Sequence, residues 1–199
     1  MFKTSQSFIF IGRSGCGKGT QVELLMKLLK EKDPAREILY IQSGQELRDF
    51  MKGPSVTQKI CRQMIDDGKL LPEFVVVYLW AQILIDKFTG NEHLVFDGMP
   101  RKIHEAGALN SIFPYYNLPK PWVFYIDISK EEAIKRMLAR GRFDDKKEEI
   151  EKRLGWYETQ VVPTIEYYKD NPDYNFLDIN GERSVEEVHT DIVKRVGLV

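Results

Sequence analysis

The chain has 199 residues, enough for one domain with a substantial core, and 43% of them are hydrophobic, as in an ordinary globular protein. Lys and Arg number 29 against 30 Asp and Glu, a net charge of −1 that excludes a nucleic-acid or membrane-surface protein defined by bulk charge. Cys16 and Cys61 make neither a disulfide framework nor a zinc site, and the longest apolar run falls far short of the roughly 20 residues of a bilayer span. Met1 to Ser7 leads straight into an apolar run, which leaves no room for a targeting peptide and fits a reducing cytoplasm.

Phe8-Ile9-Phe10-Ile11 reads as a first strand, followed by Gly12-Arg13-Ser14-Gly15-Cys16-Gly17-Lys18-Gly19-Thr20 and a helix over Gln21 to Lys30. Strand, glycine-rich loop, helix is the context in which backbone N–H groups and a helix start converge on phosphate oxygens. Lys18 adds a mobile cation, while the hydroxyl comes at Thr20, one place later than in the common pattern. Within the loop Cys16 reads as a small space-filling residue. Glu37 to Ile41 is a second strand. Gln45 to Asp66 is helical, polar and interrupted by Gly53-Pro54, an excursion that Gly68-Lys69-Leu70-Leu71-Pro72 closes before an apolar helix over Glu73 to Phe88.

Strands three, four and five are His93 to Phe96, Trp122 to Ile126 and Asn175 to Ile179. Ser129 with Glu132, and Ser184 with Glu187, have the spacing of capping boxes. Glu148 to Lys169 is helical with a kink at Pro163. This alternation predicts an α/β fold with a five-stranded parallel sheet and helices on both faces. Gly12, Ser43, Asp97 and Gly181 fall at strand ends, where such sheets bind ligands, and so surround one crevice.

A chain near neutrality that transfers phosphoryl groups needs arginines at defined points, and Arg48, Arg101, Arg140, Arg142 and Arg153 are the candidates. Asp97, a carboxylate ending an apolar strand, suits the hydration shell of Mg²⁺.

These motifs resemble the adenylate kinases of the nucleoside monophosphate kinase family, from the loop almost to the C-terminus. The resemblance lies in Gly17 to Gln21, Ser43-Gly44-Gln45-Glu46-Leu47-Arg48, Gly68 to Pro72, Asp97-Gly98-Met99-Pro100-Arg101 and Arg142-Phe143-Asp144-Asp145, with Arg153 one helical arm later. It implies a P-loop NTPase-like fold, a single kinase domain over 1–199, a monophosphate-binding excursion over 43–72 and a minimal lid over 140–147. It also implies a phosphotransferase using ATP with Mg²⁺ and no direct protein ligand to the metal. Gly15, Cys16, Gly17, Lys18, Gly19 and Thr20 would hold the ATP phosphates, and Arg140 and Arg183 would flank its adenine. Ser43, Lys69, Leu70, Leu71, Gly98, Met99, Pro100 and Glu105 would line the acceptor site. Arg48 and Arg101 would clamp the acceptor phosphate, Arg142 and Arg153 would reach the transferring group, and Asp144 and Asp145 would hold the closed lid. Lys18, Arg101, Arg142 and Arg153 would carry catalysis.

Two departures from the family pattern stand out. A single residue, Gly141, separates Arg140 from Arg142, so a zinc lid is excluded and poorer shielding of ATP from water is expected. Glu105 occupies the place of a glutamine that both donates to and accepts from an adenine edge, and an ionised carboxylate only accepts. AMP is the expected acceptor; GMP, which offers two donors, UMP or CMP, and a non-catalytic ATP-binding module are the rivals. Retention of Arg48, Arg101, Arg142 and Arg153 favours the enzyme over the module. No nucleic-acid or membrane partner is expected, and nothing points beyond a monomer.

Overall fold

The computed structural model describes residues 4–141 and 147–198. Five strands form one parallel sheet: β1 (Ser7–Ile11), β2 (Ile38–Gln42), β3 (His93–Asp97), β4 (Trp122–Asp127) and β5 (Asn175–Asn180), in the order β2-β3-β1-β4-β5. All five residues of β1 are buried because its side chains alternate between two apolar layers. Phe8 and Phe10 face Phe124, Leu25 and Leu29 of α1 (Lys18–Lys32), and Ile192 of α10 (Val185–Val196). Ile9 and Ile11 belong to the opposite layer with Phe96, Trp80 and Leu84 of α4 (Glu73–Lys87), Leu109 of α5 (Ile103–Asn110) and Tyr168 of α9 (Val162–Lys169). Helices therefore cover both faces, as expected. Order reverses at β1, between β3 and β4, and the crevice beyond their carboxyl ends is the natural ligand site.

Three local features differ from expectation, each for a physical reason. Helix α1 starts at Lys18 rather than Gln21, since Gly17 (φ 95°, ψ 10°) already supplies the left-handed residue that turns loop into helix. Pro163 does not kink a continuous helix. It lies in the first turn of α9, where a missing N–H is tolerated, and the disturbance is absorbed in a π-helical turn over Tyr157–Val161 after α8 (Lys147–Trp156). At α7 (Lys130–Arg140), Ser129 Oγ accepts from the Glu132 N–H at 3.3 Å, but Glu132's carboxylate accepts instead from Arg136 Nε at 2.7 Å. The reciprocal half of the box is supplied by Glu182, which accepts from the Ser129 N–H at 2.9 Å. The Ser184–Glu187 box is complete.

Residues 43–72 fold as α2 (Ser43–Phe50) and α3 (Val56–Asp66), with a small cluster of their own around Cys61, Leu71 and Val75. Helix α6 (Ile112–Tyr115) lies between α5 and β4.

Candidate active site

Why the loop after β1 is glycine-rich follows from its contacts. A Cβ on Gly12 (φ +143°) would lie 2.5 Å from the Ile126 carbonyl oxygen, and one on Gly15 (φ +86°) 2.9 Å from that of Ala133. The loop is thus wedged between the end of β4 and the body of α7, and no side chain fits. Cys16, 2% exposed, packs in the core below, as a small space-filler should. Lys18 Nζ donates to the Gly12 and Arg13 carbonyls, each at 2.8 Å, which holds the ammonium over the loop.

Gly15, Gly17, Lys18, Gly19 and Thr20 open onto a cleft of about 670 Å³, a volume that holds a nucleotide. Its other walls carry Ser43, Arg48, Asp97, Gly98, Arg101, Arg140 and Arg183, so four separate strand ends meet here. Gly181 itself lies off the cleft, where a Cβ would strike Ile126 at 2.5 Å, while Arg183 is fixed by Asp191 at 2.6 Å.

Asp97 is 6% exposed, the last residue of β3. Tyr40 Oη donates to its Oδ2 at 2.9 Å and Gln42 Nε2 to the same oxygen at 3.0 Å, an arrangement that aims the carboxylate. Burial, then the adjacent Asp97 charge, pushes the Tyr40 hydroxyl far above its ordinary range, so it remains a donor. Ser43 Oγ donates to the Gly98 carbonyl at 3.0 Å, tying the start of α2 to the loop after β3.

Arg101 is the electrostatic centre of the cleft. Burial lowers its pKa, and the nearby guanidiniums of Arg153 and Arg48 lower it further, against the pull of Glu105 and Asp97. Its Nε donates to the Gly98 carbonyl at 3.0 Å and its guanidinium lies 5.6 Å from the Trp156 ring centroid. Three guanidiniums thus converge from α2, the loop after β3 and α8. Such mutual repulsion is relieved by a polyanion placed among them.

Beside the cleft is a second, narrow and mostly apolar cavity with about 40 Å³ of free space, lined by Leu47, Leu70, Leu71 and Trp80 and shared with Ser43, Gly98, Arg101 and Glu105. Glu105 is 2% exposed; its Oε2 accepts from the Arg101 N–H at 2.8 Å. Burial raises its carboxyl pKa, and the backbone donor and the charges of Arg101 and Lys102 offset part of that rise.

Some expected residues lie elsewhere. Lys69 pairs with Asp67 at 2.9 Å and is absent from the cavity walls. Met99, 1% exposed, packs in the core beneath the cis Met99–Pro100 bond, and Pro100 borders a small neighbouring pocket with Gly12 and Lys18. Arg142, Asp144 and Asp145 lie outside the described residues.

Sequence reasoning missed Tyr40 and Gln42, the hydrogen-bond donors to Asp97; their β2 pattern signalled only a strand. It also missed Arg136 on the cleft wall and the strap made by Arg13. Arg13 donates to Glu158 at 2.6 Å and to the Ile128 carbonyl at 3.2 Å, and stacks 4.1 Å above the Tyr157 ring, joining the phosphate loop to the π-helical turn. Burial raises the Tyr157 hydroxyl to about 12.

Fold and cleft together define a parallel α/β nucleotide-binding protein of the P-loop type. The adenylate kinase family model matches residues 10–172. The adenylate kinase of Azobacteroides pseudotrichonymphae is 34% identical over 190 residues, 93% of this chain and 94% of its own length. Those of Bacteroides fragilis (33% over 194 residues, 96% and 97%) and Prochlorococcus marinus strain MIT 9301 (30% over 188 residues, 94% and 97%) are similar to it over nearly the same span. The chain belongs to the adenylate kinase family, phosphotransferases that move a phosphoryl group between ATP and a nucleoside monophosphate.

Proposed function

We propose that the acceptor is AMP and that the enzyme interconverts ATP plus AMP with ADP. The observation that carries this reading is Arg101, which lines both the phosphate-loop cleft and the Glu105 cavity, with Arg48 on the cleft wall. One anion-binding loop and an apolar pocket beside it, with Arg101 on the wall they share, suit two nucleotides meeting phosphate to phosphate. The relatives' shared name, adenylate kinase, supports the choice of base.

In this reading the loop N–H groups and Lys18 hold the donor's β- and γ-phosphates. Leaving the Gly12 and Arg13 carbonyls costs Lys18 two hydrogen bonds, which phosphate oxygens replace with stronger, charge-assisted ones. Arg48 and Arg101 grip the acceptor's phosphate and Arg153 meets the group in flight, so an acceptor oxygen bonds to the γ-phosphorus as the bond to the β–γ bridging oxygen breaks. The acceptor phosphate is itself the nucleophile, so positioning and charge neutralisation do the catalytic work.

The donor set fits Mg²⁺. Asp97 and Thr20 offer hard oxygen atoms to the same cleft, and both hydrogen bonds on Asp97 fall on Oδ2. In this reading the ion is carried mainly by substrate phosphates and water. Asp97 and Thr20 would hold a bound Mg²⁺, which would supply positive charge to offset the negative charge developing in transfer. We assign residues 43–72 to the acceptor side as a mobile unit, and 140–147 to the donor side.

A panel of nucleoside monophosphates with ATP and Mg²⁺, read by product chromatography, tests this reading, and AMP should be phosphorylated fastest. A second reading, GMP, is favoured by the acceptor-only chemistry of an ionised Glu105. Turnover confined to GMP would replace the first reading with it.

A further inference from the structure

Arg13 belongs to the phosphate loop, yet its guanidinium is engaged elsewhere. Ser14, Gly15 and Gly17 wall the cleft, whereas Arg13 reaches groups supplied by later parts of the chain. Its side chain is 14% exposed, and a guanidinium so nearly enclosed needs partners. It meets three at once. Nε donates to the Ile128 carbonyl just after β4, Nη1 donates to Glu158, 145 residues away in sequence, and the planar face covers the Tyr157 ring. Buried Tyr157 donates in turn to the Tyr125 hydroxyl of β4 at 3.3 Å, and Tyr125 donates to Asp127 at 2.7 Å.

Both ends of this strap bear on the chemistry. At the loop end, the Arg13 carbonyl is one of the two oxygens that hold Lys18 Nζ, and it also accepts from the Cys16 N–H at 3.2 Å. A guanidinium fixed in place therefore fixes the peptide on which the loop's lysine rests. At the far end, Tyr157 and Glu158 open the π-helical turn directly after α8, the helix that carries Arg153 and Trp156. Trp156 lies against Arg101, and the Arg153 charge is near enough to act on the same guanidinium. A π-helical turn is a point at which a helix bends. Left to itself it would let α8 swing relative to the sheet and carry Arg153 with it.

We propose that Arg13 is a positioning residue for phosphoryl transfer: its strap to Tyr157 and Glu158 sets the distance between the phosphate loop and the Arg101–Arg153 cations, so that donor and acceptor phosphates meet in line. This inference rests on the reading of Arg101 and Arg153 as the cations that meet the acceptor phosphate and the transferring group; it is independent of the acceptor's base. Arg13 itself touches neither nucleotide. Its loss should leave each nucleotide bound as before and slow only the step in which both must be aligned, where a misplacement of about 1 Å costs up to about 10²-fold.

The test uses the full chain, Mg²⁺ and whichever nucleoside monophosphate the unmodified enzyme phosphorylates. Rapid quench at saturating nucleotides reads the transfer step. Calorimetry with the β,γ-methylene analogue of ATP, and separately with the monophosphate, reads each Kd and counts the sites. Arg13→Ala should slow transfer per site about ten-fold and leave both Kd values within about two-fold. Glu158→Ala should slow it about three-fold with the same split, and the double variant should be no slower than Arg13→Ala, since the two residues act through one contact. A merely structural arginine would lower the melting temperature and the number of sites while transfer per site stayed unchanged. That result, a weakening of ATP-analogue binding that matches the loss of rate, or additive losses in the double variant, overturns the proposal. Should Arg13→Ala fail to fold, Glu158→Ala decides alone, because Glu158 is more than half exposed: the same split supports the strap, and an unchanged rate overturns it. An Arg101→Lys variant that transfers at the unmodified rate would defeat the reading of the cations; a slow Arg101→Lys beside an unaffected Arg13→Ala would defeat this inference alone.

Discussion

Arg101 is half-buried with two other guanidiniums nearby, so a substrate phosphate gains more there than at a solvated arginine. Arg101→Lys preserves the charge but loses the planar fork. Its kcat/KM for phosphoryl transfer should fall about 10²- to 10³-fold with the fold intact by circular dichroism; a fall under ten-fold would remove Arg101 from the catalytic set. His93 lies far from this chemistry, fully buried, with Nδ1 accepting from the Gln6 N–H at 3.1 Å and Nε2 3.5 Å from Asp33. Burial lowers its pKa from 6.5, so the unfolded chain takes up the proton first. Stability from this histidine is complete above pH 6.5 and declines as pH falls below it. Asp33, lowered chiefly by its bond from Arg36, contributes above about pH 3.8 and is lost in stronger acid. Urea midpoints measured from pH 7.5 to 5 should decline, and His93→Gln should flatten part of that slope; His189, also lowered by burial, adds to it, while Glu105, raised by burial, opposes it. An identical slope in the variant would exclude His93 as its source. At this scale the sequence revealed residues whose meaning is local, such as Lys18 and Thr20 in their loop. It hid Tyr40 and Arg13, whose partners Asp97 and Tyr157 are brought near only by the fold.

Glycines in one loop are not equivalent. Gly17 has open space where a Cβ would stand, so Gly17→Ala pays only for its left-handed backbone, about 1–2 kcal/mol. Gly12→Ala would also force the loop off the end of β4, a cost in the range of roughly 3–5 kcal/mol. Denaturant titration should rank them in that order; the reverse would mean that the contact with the Ile126 carbonyl yields easily. Strands and most helices were legible because their apolar periods are local, and β1 to β5 all appear where short hydrophobic runs placed them. The π-helical turn and the shared cap of α7 were not. One depends on how Pro163 is accommodated within a packed helix, and the other on Glu182 arriving from beyond β5.

For the molecule as a whole, the proposed Mg²⁺ arrives with the substrate phosphates and is no part of the fold. EDTA should therefore abolish transfer while leaving the melting temperature unchanged; a fall of several degrees would reveal a structural ion. ATP hydrolysis without acceptor tests the expectation drawn from Gly141, and a rate well above the spontaneous one should be found, with negligible hydrolysis counting against poor shielding. The overall architecture could be read from alternation alone, but the sheet order β2-β3-β1-β4-β5 required the structure. That order bears on how the chain is made. Phe8 of the central strand pairs with Val95 on one side and Trp122 on the other, so 87 residues separate it from its earlier partner (95 − 8). At about 5–20 residues per second a ribosome takes roughly 4–17 s to bridge that gap, and the most apolar strand is without its neighbours throughout. While it is being made, the chain of this protein therefore exposes its own centre for seconds before it can fold around it.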